Sequence, residues 1–195
     1  MRWLRRGEGP APEWALVHLE LRAPDRVLAW GQDTVTGACI VASLYALHHL
    51  PPGASTSPHL GGDLALAVLP TGVAAGASVR WSRPWLDVLA GSWEPRTHTL
   101  SVTWADGSRA SMWTLKERQL RLPSVFQERV RASLYVSTPV EVGGRPVGQV
   151  ALRRDLATGE LREQVSWRRG RPTTDPAVAA EVDRLLADLR DQAGL

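Results

Sequence analysis

Short apolar runs separated by tight turn signals recur from Val27 to Trp167, and this rhythm restricts the chain to antiparallel sheet over most of its length. In Thr99 to Trp104, the residues Leu100, Val102 and Trp104 share one face, the period of two expected of a half-buried strand. Asp106-Gly107 follows, a dipeptide suited to a two-residue hairpin, and Ala110 to Leu115 is the return strand. Upstream, Val27 to Trp30 reads as a strand, Gln32 to Thr34 as a turn, Gly37 to Ala42 as the return, and Leu44 to Leu50 as a third strand that stops at Pro51-Pro52. Downstream, Leu134 to Val142, Pro146 to Arg154 and Glu160 to Trp167 are joined by Gly143-Gly144 and by Asp155 to Gly159. Connections this short make a meander, and a meander is antiparallel.

The stretches between are less regular. Ala15 to Leu21 reads as a first strand, and residues 51–62 as an exposed loop rich in Pro, Gly and Ser. Asp63 to Leu69 fits either a strand or a short helix. Val79 to Trp81 is short and apolar, Pro84 to Val88 turns into a strand over Leu89 to Trp93, and Glu94 to Thr97 is a tight loop.

Two segments switch to the helical period. Pro123 suits a first helical turn, where its missing N–H has no partner to lose, and Leu122, Phe126, Val130 and Leu134 lie four apart. Near the end, Asp175 is a good N-cap, Pro176 sits at the first helical position, and Val178, Val182, Leu185, Leu186 and Leu189 form one stripe. Arg184 and Asp188 stand one turn apart on the polar side, and Gly194 lies just past the end. Burying that stripe contributes on the order of 6–12 kcal/mol before entropy is subtracted, so the helix is expected to dock on the sheet. The fold class is therefore α+β: a bent antiparallel sheet with a helix, extended by a three-stranded meander and a C-terminal amphipathic helix.

Composition excludes several functions. Cys39 is the only cysteine, so neither an intrachain disulfide nor a Cys-based zinc site forms, and it sits in an apolar run as a small hydrophobe. The longest apolar run, Ala38 to Leu47, falls short of the roughly 20 residues that span a bilayer. Met1 to Arg6 is charged, and Gly7-Glu8-Gly9-Pro10 follows where a signal peptide is apolar, so a cytoplasmic location without a membrane span is expected. Net charge is only +3; the basic residues are 23, of which Lys116 is the one lysine, a bias that matches a GC-rich coding sequence.

The search for chemistry yields few candidates. No Gly-x-Ser-x-Gly elbow is present, and Ser43 lies in an apolar strand without a motif-defined His or acid. Gly143 to Gly148 is glycine-rich but lacks the Gly-Lys-Ser/Thr of a phosphate loop, so it reads as a hairpin turn. Cys39, His48, His49, His59 and Asp63 are close in sequence, yet adjacent strand residues point to opposite faces, so His48 and His49 do not suit one ion. No metal and no cofactor are expected. Trp81, Trp85, Trp93, Trp104 and Trp113 read as packing residues; whether they line a pocket stays open at this level. Arg153, Arg154, Arg162, Arg168, Arg169 and Arg171 lie on one hairpin and its exit, interrupted by Asp155, Glu160 and Glu163. They are the candidate site for an anionic partner: a phospholipid headgroup, a nucleic acid or an acidic protein surface. Strand alternation lets only about half of them share one surface.

Val27 to Trp30, the hairpin ending in Leu44 to Leu47, Val79-Arg80-Trp81 with Trp85 to Val88, the strands around Trp104 and the helix from Pro123 together resemble a bacterial pleckstrin-homology-like domain. The resemblance covers slightly over half the chain. It implies a partly open barrel with a closing helix over residues 15–134, preceded by a loose arm at 1–14 and followed by the meander and helix of 135–195 packed on the same core. The region from Gln119 onward, with Leu122-Pro123, Glu128-Arg129-Val130 and Arg153-Arg154, is similar to uncharacterised actinobacterial proteins, which implies no activity. Phosphoinositide-binding members of the superfamily carry basic residues in and beside the first hairpin. Here that turn reads Gln32-Asp33-Thr34, so the lipid function is not carried over. The expected function is a non-catalytic binding or scaffolding module with a protein partner. An anionic-surface binder using the Arg hairpin is the second reading, and an enzyme with a site assembled from scattered residues the third.

Overall fold

Turn chemistry and periodicity become architecture with one clear exception, at the N-terminal end. The computed structural model describes residues 10–19, 21–52, 80–117, 121–168 and 175–195. Among these, the chain is α+β, with ten strands in three antiparallel sheets and three α-helices, and no sheet closes into a barrel. Most of the expected N-terminal arm and of the loop after Pro51-Pro52, the Asp63 to Leu69 element and Val79 lie outside the described residues. Contacts divide the chain into two interleaved units. The first holds the described residues up to Arg83 with Ser92–Ser101 and Met112–Phe126; the second holds Pro84–Gly91, Val102–Ser111 and Gln127–Leu195.

The first unit is built on β1 (Val27–Gln32), β2 (Cys39–Ser43), β3 (Ala46–Leu50) and β4 (Trp81–Pro84), in the order β1-β2-β3-β4. The hairpin register sets Val41 opposite both Trp30 and His48, and Ile40 opposite Gly31 and His49. All five residues of β2 are buried, which is why that strand reads as an unbroken apolar run rather than an alternating one. Cys39, Val41 and Leu50 pack with Ala15, and Trp14, Leu19, Val27 and Trp30 close around them.

Ala15 comes from the exception. The segment expected as a strand is instead a short helix, α1 (Glu13–Val17). The carbonyl of Pro12 accepts from the N–H of both Ala15 and Leu16, and Glu13 occupies the first turn, where a carboxylate suits the helix dipole. The contacts follow the helical spacing, with Ala15 and Leu19 four apart on the core side while Val17 is exposed; period two loses to i, i+4.

Asp33 ends β1 and holds the first turn. Its Oδ2 accepts from the Thr36 N–H at 2.9 Å and hydroxyl at 2.6 Å, while Oδ1 accepts from the Thr114 N–H at 2.9 Å. This buried carboxylate ties the first turn to the strand that ends at Thr114, which accounts for an acid at this turn.

The middle sheet consists of β5 (Val88–Glu94), β6 (Thr99–Trp104) and β7 (Ser111–Thr114), in that order, and its residues are shared between the two units. Leu100, Val102 and Trp104 are buried as the alternation requires. Helix α2 (Arg121–Ser133) starts two residues before Pro123 and buries Leu122, Val125 and Phe126; Leu134, read as the end of its stripe, already belongs to the next strand and is partly exposed.

The second unit contains the meander, β8 (Leu134–Val142), β9 (Arg145–Arg154) and β10 (Leu161–Trp167), with β9 in the middle. Outer strand β8 carries Pro139 and is interrupted by register shifts between Leu134 and Val136 and between Val140 and Glu141. Helix α3 (Pro176–Ala193) covers one face: Val178, Val182, Leu185, Leu186 and Leu189 pack on Val140, Val147, Val150 and Leu152. Asp175 accepts from the Ala177 N–H at 2.9 Å, and Gly194 takes the left-handed conformation that ends the helix. On the polar side Arg184 reaches Asp188 at 2.7 Å and Arg190 pairs with Glu163 of β10.

Candidate functional site

The arginine set does not form one patch. In β9 the alternation turns Arg153 inward and Arg154 outward, and only 3% of Arg153 is exposed. One of its terminal nitrogens donates to the Val88 carbonyl at 2.8 Å, to the Trp85 carbonyl at 3.2 Å and to Ser133 Oγ at 2.7 Å. Arg153 is therefore withdrawn from the candidate anion surface and serves as a brace inside the second unit. Burial also lowers its pKa below the ordinary guanidinium range. Arg154 is exposed and lies over the ring of Tyr135 at 5.2 Å. Arg162 is exposed on the face opposite to Arg154, with Asp155 at 4.0 Å and Glu160 at 3.8 Å. Arg168 is exposed beyond β10, and Arg169 and Arg171 lie outside the described residues.

The histidines separate as alternation requires. His49 is buried and stacked, 5.5 Å from Trp81 and 6.3 Å from Trp113 by ring centroids. His48 faces the other way, toward Ser43. His59 and Asp63 lie outside the described residues, and among the described residues no three His, Cys, Asp or Glu side chains stand close enough to share a metal ion. Cys39 is buried, and that burial pushes its thiol up to about 12.

Among the tryptophans, Trp85, Trp104 and Trp113 are buried. Trp104 donates to Ser111 Oγ at 3.0 Å, and Trp93 stacks on His98 at 6.1 Å. Trp167 does border a pocket, a recess of about 340 Å³ in the second unit shared with Ser137, Gln149, Ser166 and Arg168. Its ring crosses Gly148, where an added Cβ would meet the ring at 2.6 Å, so only glycine lets this aromatic lie against β9.

The most organised polar group was not legible in the sequence. Ser43, read as lacking both a His and an acid, has one of each beside it: Asp25 Oδ2 at 3.1 Å and His48 Nε2 at 3.0 Å. Both arrive through the sheet, His48 from β3 and Asp25 from just before Val27, which pairs with Ser43. The closing turn adds the Ala46 N–H at 3.1 Å and the Ala46 carbonyl at 3.2 Å. A serine hydroxyl has one proton and two lone pairs. The Ala46 N–H can only donate, whereas the carboxylate and the carbonyl can only accept. Placing the serine proton on one of these two acceptors, with His48 donating through Nε2–H, leaves the fewest lone pairs facing one another. A serine ending strand β2 just before a tight turn is the one local signal, because such hydroxyls bond nearby backbone.

This arrangement, so assigned, has the imidazole donating to the hydroxyl, the reverse of the bond that activates a nucleophile. It is an orienting chain that fixes one histidine ring. His48 lines a recess of about 350 Å³ together with Leu19, Leu21, Leu50, Arg80 and Trp81. Arg80 is exposed and gives one N–H to the His18 carbonyl at 3.1 Å. Burial lowers the pKa of His48 below the ordinary 6.5, and Asp25 opposes that shift. The recess thus combines a fixed, neutral imidazole, a guanidinium and an apolar wall. No protein-family model matches the sequence, and no curated protein and no solved structure matches the chain.

Proposed function

We propose that the chain is a non-catalytic binding module of pleckstrin-homology-like type whose ligand site is the recess of the first unit. One observation carries the reading: the Asp25–Ser43–His48 chain has the hydroxyl in the middle, so its hydrogen bonds orient an imidazole toward a recess rather than activate a nucleophile. The other buried polar residues serve the fold: Asp33 holds a turn, His49 is stacked, and Ser133 and Arg153 brace backbone carbonyls. The element order supports the pleckstrin-homology-like type, since antiparallel strands over Val27–Thr114 are followed by helix α2. No helix among the described residues is long and apolar enough to cross a membrane.

The test is a titration of the isotopically labelled chain with a chemically diverse fragment library, read by amide shifts in NMR. Saturable movement of the Leu50, Trp81 and Ser82 signals without consumption of the compound is the expected result. Turnover of a compound that His48→Gln abolishes would replace the binding reading with an enzymatic one, and a library that moves none of these signals would remove the recess as a site.

Exposed Arg154 and Arg168 favour a second reading, an anionic surface engaged through the meander. Its test is binding to anionic vesicles and to duplex DNA at two salt concentrations, for the native chain and for Arg154→Ala/Arg162→Ala/Arg168→Ala. Several phosphate contacts would make affinity fall steeply with salt. Absence of binding at low salt removes this reading.

A further inference from the structure

We infer that the recess of the first unit takes a small aromatic carboxylic acid that carries an O–H or N–H donor, with the carboxylate on Arg80, the donor on His48 Nδ1 and the ring against Trp81. The inference rests on the binding reading above and specifies its ligand class.

The argument begins at His48. We assign its Nε2 as the donor to Ser43, because Asp25 Oδ2 and the Ala46 carbonyl both stand as acceptors beside that hydroxyl. In the neutral ring, Nδ1 is then a bare acceptor. The sealed, unpartnered side-chain atoms among the described residues are Arg129 Nε and Arg153 Nε, and His48 Nδ1 is not one of them. It opens on the recess that His48 lines. A nitrogen held as an acceptor selects a ligand with a hydrogen-bond donor.

Arg80 sets the second requirement. Its bond to the His18 carbonyl uses one N–H of a guanidinium that carries several in a planar fork, and the rest match a carboxylate in two-point geometry. Leu19, Leu21, Leu50 and Trp81 supply an apolar wall, which suits a flat ring between the two polar ends. At about 350 Å³ the recess lies at the small end of ligand sites, which run from about 300 to 1,000 Å³ and include drug-sized ligands. A single-ring acid fits that volume.

The experiment compares three probes on the full chain by the same NMR titration: para-hydroxyphenylacetate, phenylacetate and tyramine. The first carries acid and donor, the second lacks the donor, and the third carries a cation in place of the acid. Para-hydroxyphenylacetate should bind saturably, phenylacetate about tenfold more weakly because Nδ1 is left without a partner, and tyramine not at all. Arg80→Ala should weaken para-hydroxyphenylacetate by about tenfold or more, and the exposed position of Arg80 spares the fold. His48→Gln keeps a donor for Ser43 but moves the acceptor from the Nδ1 position to an amide oxygen, so the preference for para-hydroxyphenylacetate over phenylacetate should shrink. Equal binding of tyramine, an unchanged affinity in Arg80→Ala, or no binding by either acid overturns the inference. If neither acid binds while a library compound of another class moves the Leu50 and Trp81 signals, the ligand class is wrong and the binding reading stands. If no compound of any class moves them, both fall.

Discussion

Replacing Arg153 by methionine tests whether a charge deep in the second unit supports the fold. The native guanidinium reaches the Val88 carbonyl at 2.8 Å, the Trp85 carbonyl at 3.2 Å and Ser133 Oγ at 2.7 Å. Methionine fills much of the same volume but satisfies none of them. A buried acceptor that loses its donor costs about 1–3 kcal/mol. Ser133 keeps its own bond to the Val130 carbonyl at 2.8 Å, and the Trp85 carbonyl keeps the Val88 N–H, so the Val88 carbonyl bears most of the loss. Against this stands the release of the cost of burying the cation, the same cost that lowers the Arg153 pKa. The net destabilisation is about 1–3 kcal/mol, the Val88 carbonyl penalty and the weakened Trp85 carbonyl less that relief. For a chain of this size, 3 kcal/mol lowers the melting temperature by about 6–12 °C. Urea titrations followed by circular dichroism measure the change, and a Ser133→Ala/Arg153→Met cycle isolates the pair, with a coupling of about 1 kcal/mol expected. An Arg153→Met chain within about 0.5 kcal/mol of native would refute the brace, because it would mean the carbonyls find other partners at no cost.

Two further outcomes follow from burial. His48 is held below its ordinary 6.5, so between its folded value and 6.5 the unfolded chain binds the extra proton; stability should be full above 6.5 and decline as pH falls through that value. The charged or titratable groups around His48 are Asp25 through Ser43 and, in the recess, His18 and Arg80; His48→Gln should flatten this limb of the pH profile, and an unchanged profile would contradict the assignment. The Cys39 thiol, pushed up to about 12, should resist an aromatic disulfide reagent at pH 8 until urea unfolds the chain, with a rate increase on the order of 100-fold; fast labelling of the native chain would show that strand β2 opens.

The parts of the molecule readable in advance are those whose signals are local. The terminal helix needs only its own stripe, Asp175 and Gly194, and each takes the expected place. The meander needs only its two turns and the alternation between them, and its three strands fall within a residue of their expected bounds. Alternation likewise separates Arg153 from Arg154 and His48 from His49. It does not say which member turns inward. For Arg153 that is decided by carbonyls 65 and 68 residues away in the chain, a choice no local pattern contains. The same holds for the recess, where Ser43 meets Asp25 from 18 residues upstream and Arg80 reaches the His18 carbonyl from 62 residues downstream. At α1 the local signal was present but ambiguous, because Ala15 and Leu19 satisfy both periods until Pro12 starts a helical turn.

The irregularities of β8 bear on how the chain behaves in a crowded solution. Among the described residues β8 and β10 are the outer strands of the meander, and an outer strand offers a row of backbone groups on which a neighbouring chain can grow. Pro139 removes one donor from that row, and the two register shifts in β8 break its repeat, so a strand laid alongside could not keep step for more than a few residues. On the other side, β10 places Arg162 and Glu163 next to each other, and Glu163 is already bound by Arg190 of α3. The breaks in β8 therefore make that edge a poor template for a strand from another molecule, and the paired charges of β10 disfavour growth at the other.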